Sequence, residues 1–222
     1  MTVATPIERK SESQDPFAMQ RFTLYDVPWE VYEAILNGLG EQRVYLTYNR
    51  GALELMSPSP RHEKFGSLVA RLVQMYTHVM QIPVFSRGQT TWRRRDLERG
   101  LEADQCFYIQ HEPEMRHKES IDLSIEPPPD LAIEIDLSSS SVDKEDVYAG
   151  LGIPELWRYE DGRIAYTLLR NGKYQLAEGS QALPGLPNME LNRFFNLRQT
   201  MGEMELVRAF AEWVEQNLKP RA

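Results

Sequence analysis

The sequence has a single cysteine, Cys106, in 222 residues, which excludes an intrachain disulfide framework and a cysteine-built zinc cluster. It lacks any run approaching the ~20 apolar residues that span a bilayer, and its first twenty residues lack the apolar stretch of a signal peptide. A reducing, cytoplasmic setting with no membrane partner is the expectation. Positive charge is also in deficit. With 25 basic against 33 acidic residues and a net charge of −8, the chain repels nucleic acid at long range. That excludes a strong sequence-independent DNA binder and leaves only local basic surface, of which Arg93 to Arg95 is the candidate. Such a charge run in a turn is ordinarily just solvated. Of the four histidines, those at 78, 111 and 117 show no metal-ligand spacing.

The hydrophobic content, 41%, suffices for one substantial core, and the length suits one elaborated domain. Residues 1–20 are polar and aperiodic and read as a disordered arm. Residues 21–198 read as the domain, and 199–222 as a C-terminal amphipathic helix packed on it or in a homodimer interface. Pro28 to Gly40 reads as a helix with a proline start and glycine stop. Arg43 to Pro58 reads as a hairpin turning at Asn49-Arg50-Gly51. Phe65, Leu68, Val69, Leu72, Val73 and Tyr76 recur at helical spacing. Strands follow over 83–94, 101–110 and 131–137, then a helix over 141–152 and strands joined at Asp161-Gly162 and Asn171-Gly172. The predicted class is α/β or α+β, mixed strands and helices around one sheet.

The strand Leu131 to Leu137 carries the chemistry. Alternation turns Leu131, Ile133 and Ile135 one way and Ala132, Glu134 and Asp136 the other. Taking carboxylates out of water is costly unless they are paired, hydrogen-bonded or bound to a metal. Spacing alone favours an exposed half-face for a Glu-x-Asp pair. Asp104, in the β-prone run Leu101 to Gln110, is placed to meet Glu134 from a neighbouring strand, and oxygen ligands of this kind suit Mg²⁺ or Mn²⁺. Lys144, just after the serine run 138–141, supplies the positive charge that phosphodiester hydrolysis needs. That serine run lacks the glycines of a phosphate loop.

The stretches SPSPRHEKFGSLVARLV, EADQCFYI and PPPDLAIEIDLSSSSVDKEDVYAGLGIPELW resemble the putative restriction endonuclease family, within the PD-(D/E)xK nuclease superfamily, over about residues 22–195. The resemblance implies a restriction-endonuclease-like mixed sheet flanked by helices, with N- and C-terminal hairpin additions, and a metal-dependent endonuclease acting on DNA. It implies a site joining Glu63 on the helix after the first hairpin to Asp104 and Glu134, with the Ile135 carbonyl completing the metal shell and Lys144 orienting water or phosphate. The superfamily lysine two residues after the second acid is here Asp136. That departure keeps a degenerate, non-cleaving binding module as the alternative, and a structural role for the acids as a third reading.

The remaining polar residues have plainer readings. Gln89 is placed to flank the site but reads first as a surface glutamine. Asp130 reads as fixing the strand start after three prolines through a turn hydrogen bond, and His62 as a capping or exposed residue. Tyr148 and Trp157 read as core, and Cys106 has no partnered histidine to activate it.

Overall fold

The computed structural model describes residues 19–40, 42–138 and 140–219. The arm expected over 1–20 lies, but for its last two residues, outside them, as does Ser139. Among the described residues are eleven strands and six α-helices: β1 (Gln20–Leu24), α1 (Trp29–Leu39), β2 (Tyr45–Asn49), β3 (Ala52–Ser57), α2 (Pro60–Met80), β4 (Phe85–Ser86), β5 (Thr90–Arg94), β6 (Arg99–Ala103), β7 (Gln105–Tyr108), α3 (Glu112–Met115), β8 (Leu131–Ile135), α4 (Lys144–Gly150), β9 (Glu155–Glu160), β10 (Arg163–Arg170), β11 (Lys173–Ala177), α5 (Asn188–Asn196) and α6 (Glu203–Asn217).

The expected α+β class holds, but the strands form two sheets rather than one: β1-β3-β2-β6-β5 and β11-β10-β9-β8-β7-β4. The chain crosses between them at Asp104. The run read as one strand over 101–110 is therefore two, with β6 in the first sheet and β7 in the second. The second sheet is mixed, with β8 and β9 parallel and its other pairs antiparallel.

Local chemistry explains the elements. The Ser59 side chain caps α2 and Pro60 opens it, where a missing N–H costs nothing. At the turns 50–51, 161–162 and 171–172 both residues have positive φ, which is the twist a two-residue hairpin needs. Strand β8 is buried on both faces, as expected of a strand with a parallel neighbour. Leu131, Ile133 and Ile135 join α2, α5 and the apolar face of α6 (Leu206, Val207, Phe210, Val214) in the largest core cluster. Ala132, on the other face, packs with Val147 and Tyr148 of α4. A third cluster sets α1 against β2 and β3. No helix among the described residues is long and apolar enough to cross a membrane.

Candidate active site

Three elements deliver the site. The corner between β6 and β7 delivers Asp104, β8 delivers Glu134 with Asp136 just past its end, and α4 delivers Lys144 in its first turn. Burial would be prohibitive for lone charges, so each acid has found partners. Glu134, 2% exposed, takes the Lys144 ammonium on Oε1 and accepts a 2.6 Å hydrogen bond from the Tyr148 hydroxyl on Oε2. Lys144 and Tyr148 are four residues apart on α4, so both reach the same carboxylate from one helix face.

Asp104 accepts a 2.6 Å hydrogen bond from the Ile135 backbone N–H on Oδ2. The same oxygen lies 3.3 Å from His62 Nε2, a charge contact without hydrogen-bond geometry. Its Oδ1 is buried with no hydrogen-bond partner. Asp136 accepts from Arg158 Nε at 2.7 Å, and its Oδ1 lies 3.5 Å from Arg21 Nη2 and 3.8 Å from Lys144 Nζ. Cations from β1, α4 and β9 thus surround the carboxylate that stands where the superfamily has lysine.

The electrostatics follow. Burial pushes the Glu134 carboxyl up; the Lys144 ammonium opposes this, and the charges of Asp104 and Asp136 reinforce it. Burial works to lower Lys144, but the surrounding acids, Glu134 first, outweigh it and hold it protonated. His62 is lowered by burial, yet the adjacent Asp104 carboxylate, with help from Glu134, carries the net shift upward.

The other two residues expected at the site, Glu63 and Gln89, contact each other and, through Tyr45, reach the ring of His62. Glu63, in the first turn of α2, accepts from the Tyr45 hydroxyl at 2.9 Å and from Gln89 Nε2 at 3.1 Å. Among the described residues no three His, Cys, Asp or Glu side chains converge to hold a metal ion. The oxygens of Glu134 and Glu63 meanwhile meet Lys144, Tyr148, Tyr45 and Gln89. A smaller donor set survives. Mg²⁺ is commonly held by one or two carboxylates with water and phosphate completing its shell, and the unpartnered Asp104 Oδ1 beside the Glu134 carboxylate fits that pattern.

Several functional neighbours escaped the sequence reading. His62 is 1% exposed, not a surface cap, because its side chain turns inward over Asp104. Tyr148 is core and also a hydrogen-bond donor to Glu134. Its spacing from Lys144 was the available signal. Arg158 stands opposite Glu134 in the β8–β9 register, which no local pattern shows. Glu54, buried on β3, accepts from Arg21 at 2.7 Å, from Ser140 Oγ at 2.9 Å and from the Ser141 backbone N–H at 3.2 Å, and so holds the loop leading to Lys144. Asp130 makes long-range contacts in place of the expected turn hydrogen bond: its carboxylate accepts from the backbone N–H groups of Ile109 and His111 at 2.6 and 3.1 Å, tying the start of β8 to the segment after β7.

No curated protein matches the sequence. The model of the Uma2 family, described as putative restriction endonuclease, matches residues 29–201, a span that contains Asp104, Glu134, Asp136 and Lys144 together with the two elements, α2 and α4, that close over them. The chain belongs to that family.

Proposed function

We propose that the protein hydrolyses phosphodiester bonds in DNA with Mg²⁺ or Mn²⁺ as cofactor, in the cytoplasm, using Asp104 and Glu134 to hold the cation. The observation that carries this reading is the buried Glu134–Lys144 pair beside a carboxylate oxygen, Asp104 Oδ1, that has no partner of its own. Burying an acid pair and a lysine together is unfavourable for stability alone and is typical of chemistry-bearing sites.

A bound divalent cation would supply charge neutralisation at the phosphate and a nucleophilic water. The chain's own residues do the rest. Lys144, anchored on Glu134 and kept charged by the acids around it, orients the attacking water or the scissile phosphate. Tyr148 fixes the Glu134 carboxyl plane. The Ile135 N–H orients Asp104, and the Ile135 carbonyl would offer a bound cation a main-chain oxygen. Glu63, held by Tyr45 and Gln89, orders water at the flank of the site. Arg158 and Arg21 neutralise Asp136, so a third acid near Glu134 adds less repulsion. The catalytic unit is taken as 21–198.

A second reading, a nuclease fold that binds without cutting, is favoured by Asp136 in the lysine position with three cations around it. Nicking of supercoiled plasmid with Mg²⁺ or Mn²⁺, set beside Glu134→Gln, separates the two. Nicking by the wild type alone supports hydrolysis. Absence of nicking, with Mn²⁺ raising the wild-type Tm but not that of Glu134→Gln, supports the binding module. A Tm unmoved by Mn²⁺ together with no nicking rejects the metal site altogether.

A further inference from the structure

Each sheet ends in two edge strands, and soluble proteins keep such edges from pairing by shortness, charge or proline. Three of the four edges here carry such a device. Strand β4 has two residues, β5 holds Arg93 and Arg94, and β11 begins at Lys173. Strand β1 is different. It is five residues long, QRFTL, without proline, and its one charged residue is neutralised within its own chain: Arg21 Nη1 lies 2.7 Å from Glu54 Oε1 and Nη2 3.5 Å from Asp136 Oδ1.

The side chains along this edge are apolar and bare. Phe22 is 67% exposed, Leu24 48%, and Tyr25, just past the strand, 66%. In register, Phe22 stands opposite Leu55 and Leu24 opposite Leu53, so they continue the sheet face that α1 covers over β2 and β3. The core face runs past its cover by one strand.

We propose that β1 is a self-association edge, pairing antiparallel with β1 of a second copy across a two-fold axis and joining two five-stranded sheets into one. The strand is self-complementary. Pairing centred on Phe22 sets Phe22 against its symmetry mate, Gln20 against Leu24 and Arg21 against Thr23, and a two-fold contact repeats each pair. No like charges meet, because each Arg21 is already committed to Glu54 and Asp136 of its own chain. At ~200 Å² for a large side chain, Phe22, Leu24 and Tyr25 expose roughly 350 Å² per copy. Two such patches supply about 700 Å², the larger part of the ~1,000 Å² expected of a specific interface before the paired main chain is counted. The inference is independent of catalysis.

The test is the mass of the full chain in solution by light scattering or sedimentation at tens of micromolar protein. The expected wild-type result is twice the 25.8 kDa chain mass, and Phe22→Glu with Leu24→Glu should return the single-chain mass with unchanged circular dichroism, since both positions are exposed. Should that variant misfold, Phe22→Cys decides, because the only native cysteine, Cys106, is buried: oxidation should yield a disulfide-linked dimer on a non-reducing gel. A wild type at single-chain mass overturns the proposal. So does a dimer that survives the folded double substitution, which would place the interface elsewhere. A monomer that dimerises only after deletion of residues 1–18 also overturns it, since the chain's own N-terminal segment would then be the occupant.

Discussion

Lys144 and Glu134 form an ion pair inside the protein, on residues 7% and 2% exposed, with the Tyr148 hydroxyl 2.6 Å from the carboxylate's other oxygen. Removing one partner strands the other charge, at a cost of about 3–5 kcal/mol, whereas removing both charges together is often close to neutral. Lys144→Met and Glu134→Gln should therefore each lower stability in urea unfolding, and the double variant should be less destabilised than the sum of the two. Additive effects would mean the pair is not energetically coupled. Each single variant should lose at least 100-fold in plasmid nicking if the proposed chemistry is right.

Restoring the superfamily lysine should fail. Asp136→Lys would place a fourth cation among Arg21, Lys144 and Arg158 and remove the acid they share. The expected outcome is a loss of about 3 kcal/mol or more with no gain in nicking. A stable, more active Asp136→Lys protein would show that Lys144 does not stand in for the missing residue.

The His62 shift sets a pH dependence. Its folded pKa is raised above the ordinary 6.5 by Asp104 despite burial, so the folded state favours the protonated form. That contribution is full below pH 6.5 and is lost as pH rises through the folded value. In urea titrations between pH 5.5 and 8.5, the stability advantage of the wild type over His62→Gln should shrink with rising pH. An advantage that grows would reverse the assigned sign.

Gly150 makes room for a buried arginine. A Cβ at position 150 would fall 2.0 Å from Arg99 Nη1 and 2.5 Å from its Cδ, and Arg99 Nη2 donates to Asp146 Oδ1 and Oδ2 at 2.9 and 2.8 Å, tying α4 to β6. Gly150→Ala should cost about 1–3 kcal/mol through this overpacking, read as a lower urea midpoint. An unchanged midpoint would mean Arg99 relocates freely.

Burial pushes the Cys106 thiol up to about 12, so almost no thiolate exists near neutrality. A disulfide-exchange reagent at pH 8 should leave the native protein unmodified and label one thiol per chain once urea unfolds it. Rapid labelling of folded protein would indicate an opening of the β7 region that the native packing does not contain.

Much of this molecule is legible from local chemistry. The long helix α2 and the three positive-φ turns follow from period, capping and turn residues, because those rules act within a few positions of the chain; the burial of β8 on both faces does not, since spacing alone favours an exposed Glu-x-Asp face. Glu134, Asp136, Asp104 and Lys144 stand out as candidates for a related reason: charge in a β-prone or apolar run is unusual. The tertiary structure decided the rest. The break at Asp104 into two sheets, the inward turn of His62, Arg158 opposite Glu134, and the contacts by which Lys144, Tyr148, Tyr45 and Gln89 satisfy the acids all join residues distant in sequence or on different elements. A buried charge must find a partner to be tolerated, but which partner it finds depends on which elements packing brings within reach.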